Sequence, residues 1–190
     1  MNLRLRFIFS VTVLVGLPLF AEVDLPRRDW NAIWITHPTA PERDAVVLHF
    51  RRSLSLPLRP KTYVVRVSAD NRFVLYVNGV RAGDGPARGD LNHWRYETFD
   101  LAPLLKSGEN LITATVWNCG ILSPWAQMSD RTGFVLESEA TAVESISTPK
   151  GWLVEREEGE RPLPRDPRIS FPFMPAGVGE EWPARSFVPV

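Results

Sequence analysis

The sequence predicts an all-β protein, an antiparallel jelly-roll β-sandwich. Three observations predict it. Apolar and polar residues alternate in short runs, the two-residue period of half-buried strands. The chain carries 17 prolines and 12 glycines, punctuation of the kind that separates strands. Beyond the N-terminal segment no stretch sustains helical periodicity for three turns, so the long helices of a doubly wound α/β fold have nowhere to form.

The elements follow in chain order. Residues 1–21 (MNLRLRFIFSVTVLVGLPLFA) carry Arg4 and Arg6, then an uncharged apolar run broken by Pro18, with Ala21 placed for cleavage before Glu22. This is the pattern of a secretory signal peptide. The run is short of the roughly 20 apolar residues of a membrane span. The expected product is secreted or periplasmic, with no membrane span after cleavage. Residues 22–155 are expected to form one sandwich.

Residues 32–35 (AIWI) are the first predicted strand. Residues 45–56 (AVVLHFRRSLSL) are the second, with Val46, Leu48, Phe50, Leu54 and Leu56 on one face. Residues 62–69 and 72–77 follow, separated by Asp70-Asn71 as a tight turn. Asn78-Gly79 is a strong hairpin signal because both residues tolerate positive φ. Residues 80–82 return from it. Residues 83–94 (GDGPARGDLNHW) read as a loop. Residues 96–101 form a strand leading into a turn of helix at 102–106. A strand at 111–118 (LITATVWN) precedes a second loop at 120–130. Residues 133–138, 145–148 and 152–154 are later strands. Residues 156–190 are Pro-rich and read as an irregular tail, a linker or the opening of a further domain.

Composition narrows the chemistry. Lys+Arg and Asp+Glu are both 22, so the net charge is zero and a dedicated nucleic-acid surface is not expected. One cysteine, Cys119, excludes an internal disulfide framework and a Cys-rich zinc module. His37, His49 and His93 lie too far apart for metal-ligand spacing, so neither a metal nor a cofactor is expected. Residues 83–89 (GDGPARG) lack the Gly-Lys-Ser/Thr ending of a phosphate loop. Arg88-Gly89-Asp90 matches the adhesion tripeptide, although Gly and Asp also belong in turns.

The aromatic residues carry more. Trp34 and Trp117 fall in predicted strands and are assigned to the core. Trp94 and Trp125 fall in the two long loops, with Asp90, His93, Arg95 and Gln127 beside them in sequence. A flat ring flanked by planar polar groups is the composition of a sugar-binding surface, and of ligand pockets generally. Asp90, His93, Trp94, Arg95, Trp125 and Gln127 are therefore the candidate carbohydrate-binding residues. Asp84, Asp90, Glu97 and Asp100 cluster in sequence, but turn chemistry accounts for them, so no catalytic residue is expected.

Several motifs come in a familiar order: AIWI (32–35), FRRS (50–53), SADNRF (68–73), LYVNG (75–79), GPARGD (85–90), HWRYE (93–97) and VWN (116–118). Together they resemble the N-terminal β-sandwich of bacterial α-L-rhamnosidases. The hairpin motif alone is shared with many galactose-binding-like sandwiches. The resemblance implies an accessory domain of a glycoside hydrolase acting on rhamnose-containing glycans. It places catalysis in a later (α/α)6 barrel that has no counterpart among these residues. The implied partners are a rhamnose-containing glycan and a catalytic portion in cis or in trans. A free-standing carbohydrate-binding module and a structural or adhesion sandwich remain the alternatives.

Overall fold

The structure is a computed structural model, and it describes residues 29–123, 127–141, 143–159, 161–163 and 179–181. The predicted signal peptide, Trp125 and most of the Pro-rich tail lie outside the described residues.

Among the described residues, the alternation seen in the sequence becomes ten strands. They are β1 (Val46–Leu56), β2 (Val64–Asp70), β3 (Arg72–Val77), β4 (Val80–Gly85), β5 (Glu97–Asp100), β6 (Gly108–Asn118), β7 (Gly133–Ser138), β8 (Leu153–Arg156), β9 (Arg161–Leu163) and β10 (Gly179–Glu181). Short 3₁₀ turns occur at Ala102–Leu104 and Gly120–Leu122. A five-stranded sheet has the order β4-β3-β6-β1-β8, and a three-stranded sheet the order β5-β2-β7. The pairings in both are antiparallel. Strands β9 and β10 form a separate two-stranded ribbon.

Strand β1 is the clearest case of period two. Leu48, Phe50, Leu54 and Leu56 are buried, while Arg51, Ser53 and Ser55 are exposed. Its partner β6 answers in register, with Leu48 opposite Val116 and Phe50 opposite Ala114. The two sheets meet through aromatic rings. Phe50 of the large sheet stacks on Phe134 of the small one at 5.0 Å, and Phe73 meets the same ring edge-on at 6.5 Å. Each such buried ring or branched side chain contributes about 1.5–3 kcal/mol before conformational entropy is counted.

The β3–β4 hairpin turns on Asn78 (φ 53°) and Gly79 (φ 79°), both left-handed as expected. The Asn78 amide also anchors the hairpin to β6. Its Nδ2 donates to Asn110 Oδ1 (2.9 Å), and its Oδ1 accepts the Leu111 N–H (3.0 Å).

Several expectations need correction. Residues 32–35 form no ladder; only Ile35 pairs, as an isolated bridge to Phe134. Residues 145–148 form no strand either. Strand β4 continues to Gly85, into the predicted loop. Trp34 is 46% exposed and Trp117 only half-buried, so neither is a core residue. Trp117 points away from the core because its neighbours in β6, Val116 and Asn118, are the buried ones. Within the predicted irregular tail, residues 161–163 pair with residues 179–181.

Candidate functional site

The candidate residues that the structure describes divide into two groups. Asp90 and His93 close a tight turn on themselves. Asp90 Oδ1 accepts the backbone N–H groups of Asn92 (2.8 Å) and His93 (2.9 Å), and Oδ2 lies 2.9 Å from His93 Nδ1. The His93 hydrogen bond, then the Asn92 N–H, hold the Asp90 carboxyl below the usual carboxylate range. Both carboxylate oxygens are thus engaged within the turn that they shape.

Trp94, Arg95 and Gln127 form the second group. They line one shallow pit with Asn71, Pro86 and Met128, at the end of the sandwich where β2 passes into β3. The enclosed space is only about 10 Å³, room for about one water and far below a sugar ring. The first of the two loops that form the pit is fixed from below. Arg72 donates to the Pro86 carbonyl (2.6 Å), and Glu97 accepts the Ala87 N–H (2.9 Å).

Beneath the second loop lies a buried polar network. Asp70, Asn71, Asn118 and Thr132 are all buried. Asp70 Oδ2 accepts the N–H groups of Asp130 (2.7 Å) and Arg131 (2.9 Å), while Oδ1 accepts Asn71 Nδ2 (2.6 Å). Asn71 Oδ1 accepts the Cys119 N–H (3.2 Å). Asn118 Nδ2 reaches Ser129 Oγ (2.9 Å) and Thr132 Oγ1 (3.0 Å). Asp70-Asn71, predicted only as a turn, is therefore the anchor of the loop that carries Gln127.

The aromatic arrangement is wider than the sequence suggested. Along β2, Val67 and Ala69 face the core, so Ser68 between them faces outward. The Trp94 indole N–H donates to Ser68 Oγ (3.1 Å), which seats Trp94 on the outer face of the small sheet. Trp34 meets Trp94 edge-to-face at 6.4 Å, and Trp30 meets Tyr96 in the same manner at 5.5 Å. The segment bearing Trp30 and Trp34 runs beside β7. Asn31 donates from N (2.8 Å) and Nδ2 (3.2 Å) to Glu137, and Ile35 bridges Phe134. Sequence analysis missed Trp30 and Tyr96. Tyr96 immediately precedes β5, and the β2–β5 register continued by one position sets it opposite the outward-facing Ser68, a pairing that no local pattern shows.

A wider groove of about 410 Å³ opens at the other end of β2, lined among others by Lys61, Tyr63, Val64, Glu139 and Val143. Its one lining carboxylate, Glu139, is ion-paired with Arg66. The pit has no carboxylate in its lining. Neither hollow thus offers the two facing carboxyl groups that glycoside hydrolysis requires. The described residues include no cluster of three or more His, Cys, Asp or Glu able to hold a metal ion, and no helix among them is long and apolar enough to cross a membrane.

No protein-family model matches the chain, and no curated protein sequence does. Solved structures do. A GH78 family rhamnosidase of Bacillus sp. GL1 is 28% identical, with a TM-score of 0.69 over 84% of this chain and 16% of its own. An α-L-rhamnosidase from Dictyoglumus thermophilum shares the fold, at 20% identity and a TM-score of 0.53, over 67% of this chain and 17% of its own. The chain thus spans about a sixth of the length of each of these enzymes. In fold and in sequence order it resembles one domain of the GH78 α-L-rhamnosidases.

Proposed function

We propose that this chain is a non-catalytic accessory domain of an α-L-rhamnosidase-like glycoside hydrolase, of the jelly-roll type. It is exported by residues 1–21, and it acts beside a catalytic portion on rhamnose-containing glycans. One observation carries the proposal. Most of the chain aligns with a minor part of a much longer rhamnosidase, and no acid pair faces a sugar-sized hollow among the described residues. An inverting or retaining mechanism needs two carboxyls set about one glycosidic bond. Asp90 is committed to its own turn and Glu139 to Arg66.

The test is turnover by the purified chain on an aryl α-L-rhamnoside. No release of rhamnose is expected. Release proportional to protein concentration, and retained through a second purification step, would overturn the proposal. N-terminal sequencing of the exported product is expected to begin at Glu22.

A free-standing carbohydrate-binding module is the second reading, favoured by the exposed aromatic set around Trp34. It differs in needing no catalytic partner. The adhesion alternative is the weakest, because the Asp90 carboxylate already accepts hydrogen bonds from its own turn through both oxygens.

A further inference from the structure

We infer that the outer face of the three-stranded sheet is a binding platform for neutral pyranosides, built from Trp34, Trp94, Trp30 and Tyr96. This rests on the carbohydrate-related function proposed above, and it places the site away from the Asp90–His93 turn. The rings stand where sheet geometry puts them. Trp94 lies over Ser68 of β2, with its indole N–H spent on Ser68 Oγ. Tyr96 stands just before β5, and the β2–β5 register continued by one position sets it opposite Ser68 on the same face. Trp34 sits above Gly133 of β7, where a Cβ would come within 3.2 Å of its six-membered ring at Cε3. Gly133 is paired with Asp70, so this ring is held at the anchored end of the sheet.

Two features point to a sugar. The first is exposure: Trp34 keeps 46% of its surface open although it is already packed edge-to-face against Trp94. The second is donor chemistry. The indole N–H groups of Trp30 and Trp34 and the Tyr96 hydroxyl have no protein acceptor among the described residues. Apolar ring faces flanked by open donors match a pyranose, which presents C–H groups on one face and hydroxyl oxygens at its rim. Arg95, exposed beside Trp94, adds planar donors at one end. Charge does not select the ligand, because Arg66 under this face is paired with Glu139. The two ring pairs, offset along β2, accommodate two successive sugar units, so a disaccharide binds more tightly than a monosaccharide.

The experiment follows the indole N–H resonances of the full chain by NMR during titration with methyl α-L-rhamnopyranoside and then with an α-L-rhamnosyl disaccharide. Trp30 and Trp34 are expected to shift saturably, with the disaccharide bound several-fold more tightly. Trp34→Ala is expected to weaken binding about tenfold, and Trp34→Phe to retain most of it. Both variants should melt close to the wild-type temperature, since Trp34 lies outside every strand. Saturable binding that survives Trp30→Ala/Trp34→Ala would overturn the location and leave the accessory-domain proposal standing. Indole shifts that follow protein dilution and ignore sugar would overturn the platform in favour of a contact between copies of the chain. No shift with either sugar would overturn it outright. Rhamnose release by the chain would instead strike the accessory-domain proposal alone.

Discussion

Replacing Asp70 by Ala is expected to destabilise the fold more than any single change of a loop side chain. The magnitude follows from the partners it abandons. Its Oδ2 holds the N–H groups of Asp130 and Arg131, and its Oδ1 holds the side-chain amide of the buried Asn71. A hydrogen bond to a charged acceptor contributes about 1.5–3 kcal/mol, and a buried donor left unsatisfied costs about 1–3 kcal/mol. Asp130 and Arg131 are exposed residues, so water replaces part of what they lose; Asn71 has no such relief. The sum is about 4 kcal/mol, which for a domain of this size lowers the melting temperature by about 10–15 °C. Asp70→Asn keeps the volume but turns an amide donor towards one set of donors, and should cost about half as much. Asp130→Ala, whose exposed side chain meets only exposed Arg43, should stay within about 0.5 kcal/mol. Urea unfolding of the three variants ranks them. The Asp70–Asn118 coupling is then read from a double-mutant cycle, with about 1 kcal/mol of non-additivity expected. If Asp70→Ala costs under about 1 kcal/mol, or if it matches Asp130→Ala, the network is not what fixes the second loop.

Three further expectations can be checked separately. Phe50→Ala removes the ring stacked on Phe134 across the two sheets and should cost about 3–5 kcal/mol in urea unfolding. The Asp90 carboxyl has a folded pKa below its ordinary 3.8, so the turn it holds is intact above that value and loosens as pH falls through the depressed one; amide shifts of Asn92 and His93 should titrate together below the exposed carboxylates. Burial raises the Tyr63 hydroxyl above its ordinary 10.0, so its stabilising contribution is complete below pH 10.0 and disappears as pH rises through the higher folded value. Phenolate absorbance should therefore show a tyrosine step above the ordinary range, and Tyr63→Phe should abolish that step.

The strands legible in the sequence are those with one wet face. β1 and β3 appear where alternation placed them, because a strand that buries one face must spend every second residue on the core. Strand β4 was cut short at residue 82 because GDG looks like a loop. Those glycines serve packing instead. A Cβ at Gly83 would come within 2.2 Å of the Phe99 ring, and one at Gly85 within 2.5 Å of the Glu97 side chain. Small residues in an edge strand thus record what lies above them, which a local pattern cannot show.

The aromatic face was hidden for a related reason. The segment from Trp30 to Ile35 is apolar but has only one bridge to the sheet, so its side chains obey neither the strand period nor the core. Its place in a predicted strand is what assigns Trp34 to the core. The corrective signal was present in β7. Glu137 occupies the outward register between Leu136 and Ser138, yet it is buried. A buried carboxylate on the outer face of a sheet requires a cover that donates hydrogen bonds, and Asn31 supplies them from both its backbone and its amide. That cover carries Trp30 one residue before and Trp34 three residues after. The aromatic face is therefore a consequence of how Glu137 is satisfied. Glu137→Ala should release the segment and quench the ring contacts of Trp34 with Trp94, while leaving the β1–β6 ladder intact. Loss of the Trp34–Trp94 nuclear Overhauser contacts, without global unfolding, is the expected outcome. Unchanged ring contacts in that variant would mean that the Ile35–Phe134 bridge and the Ile33 N–H to Thr148 carbonyl bond hold the segment without Glu137.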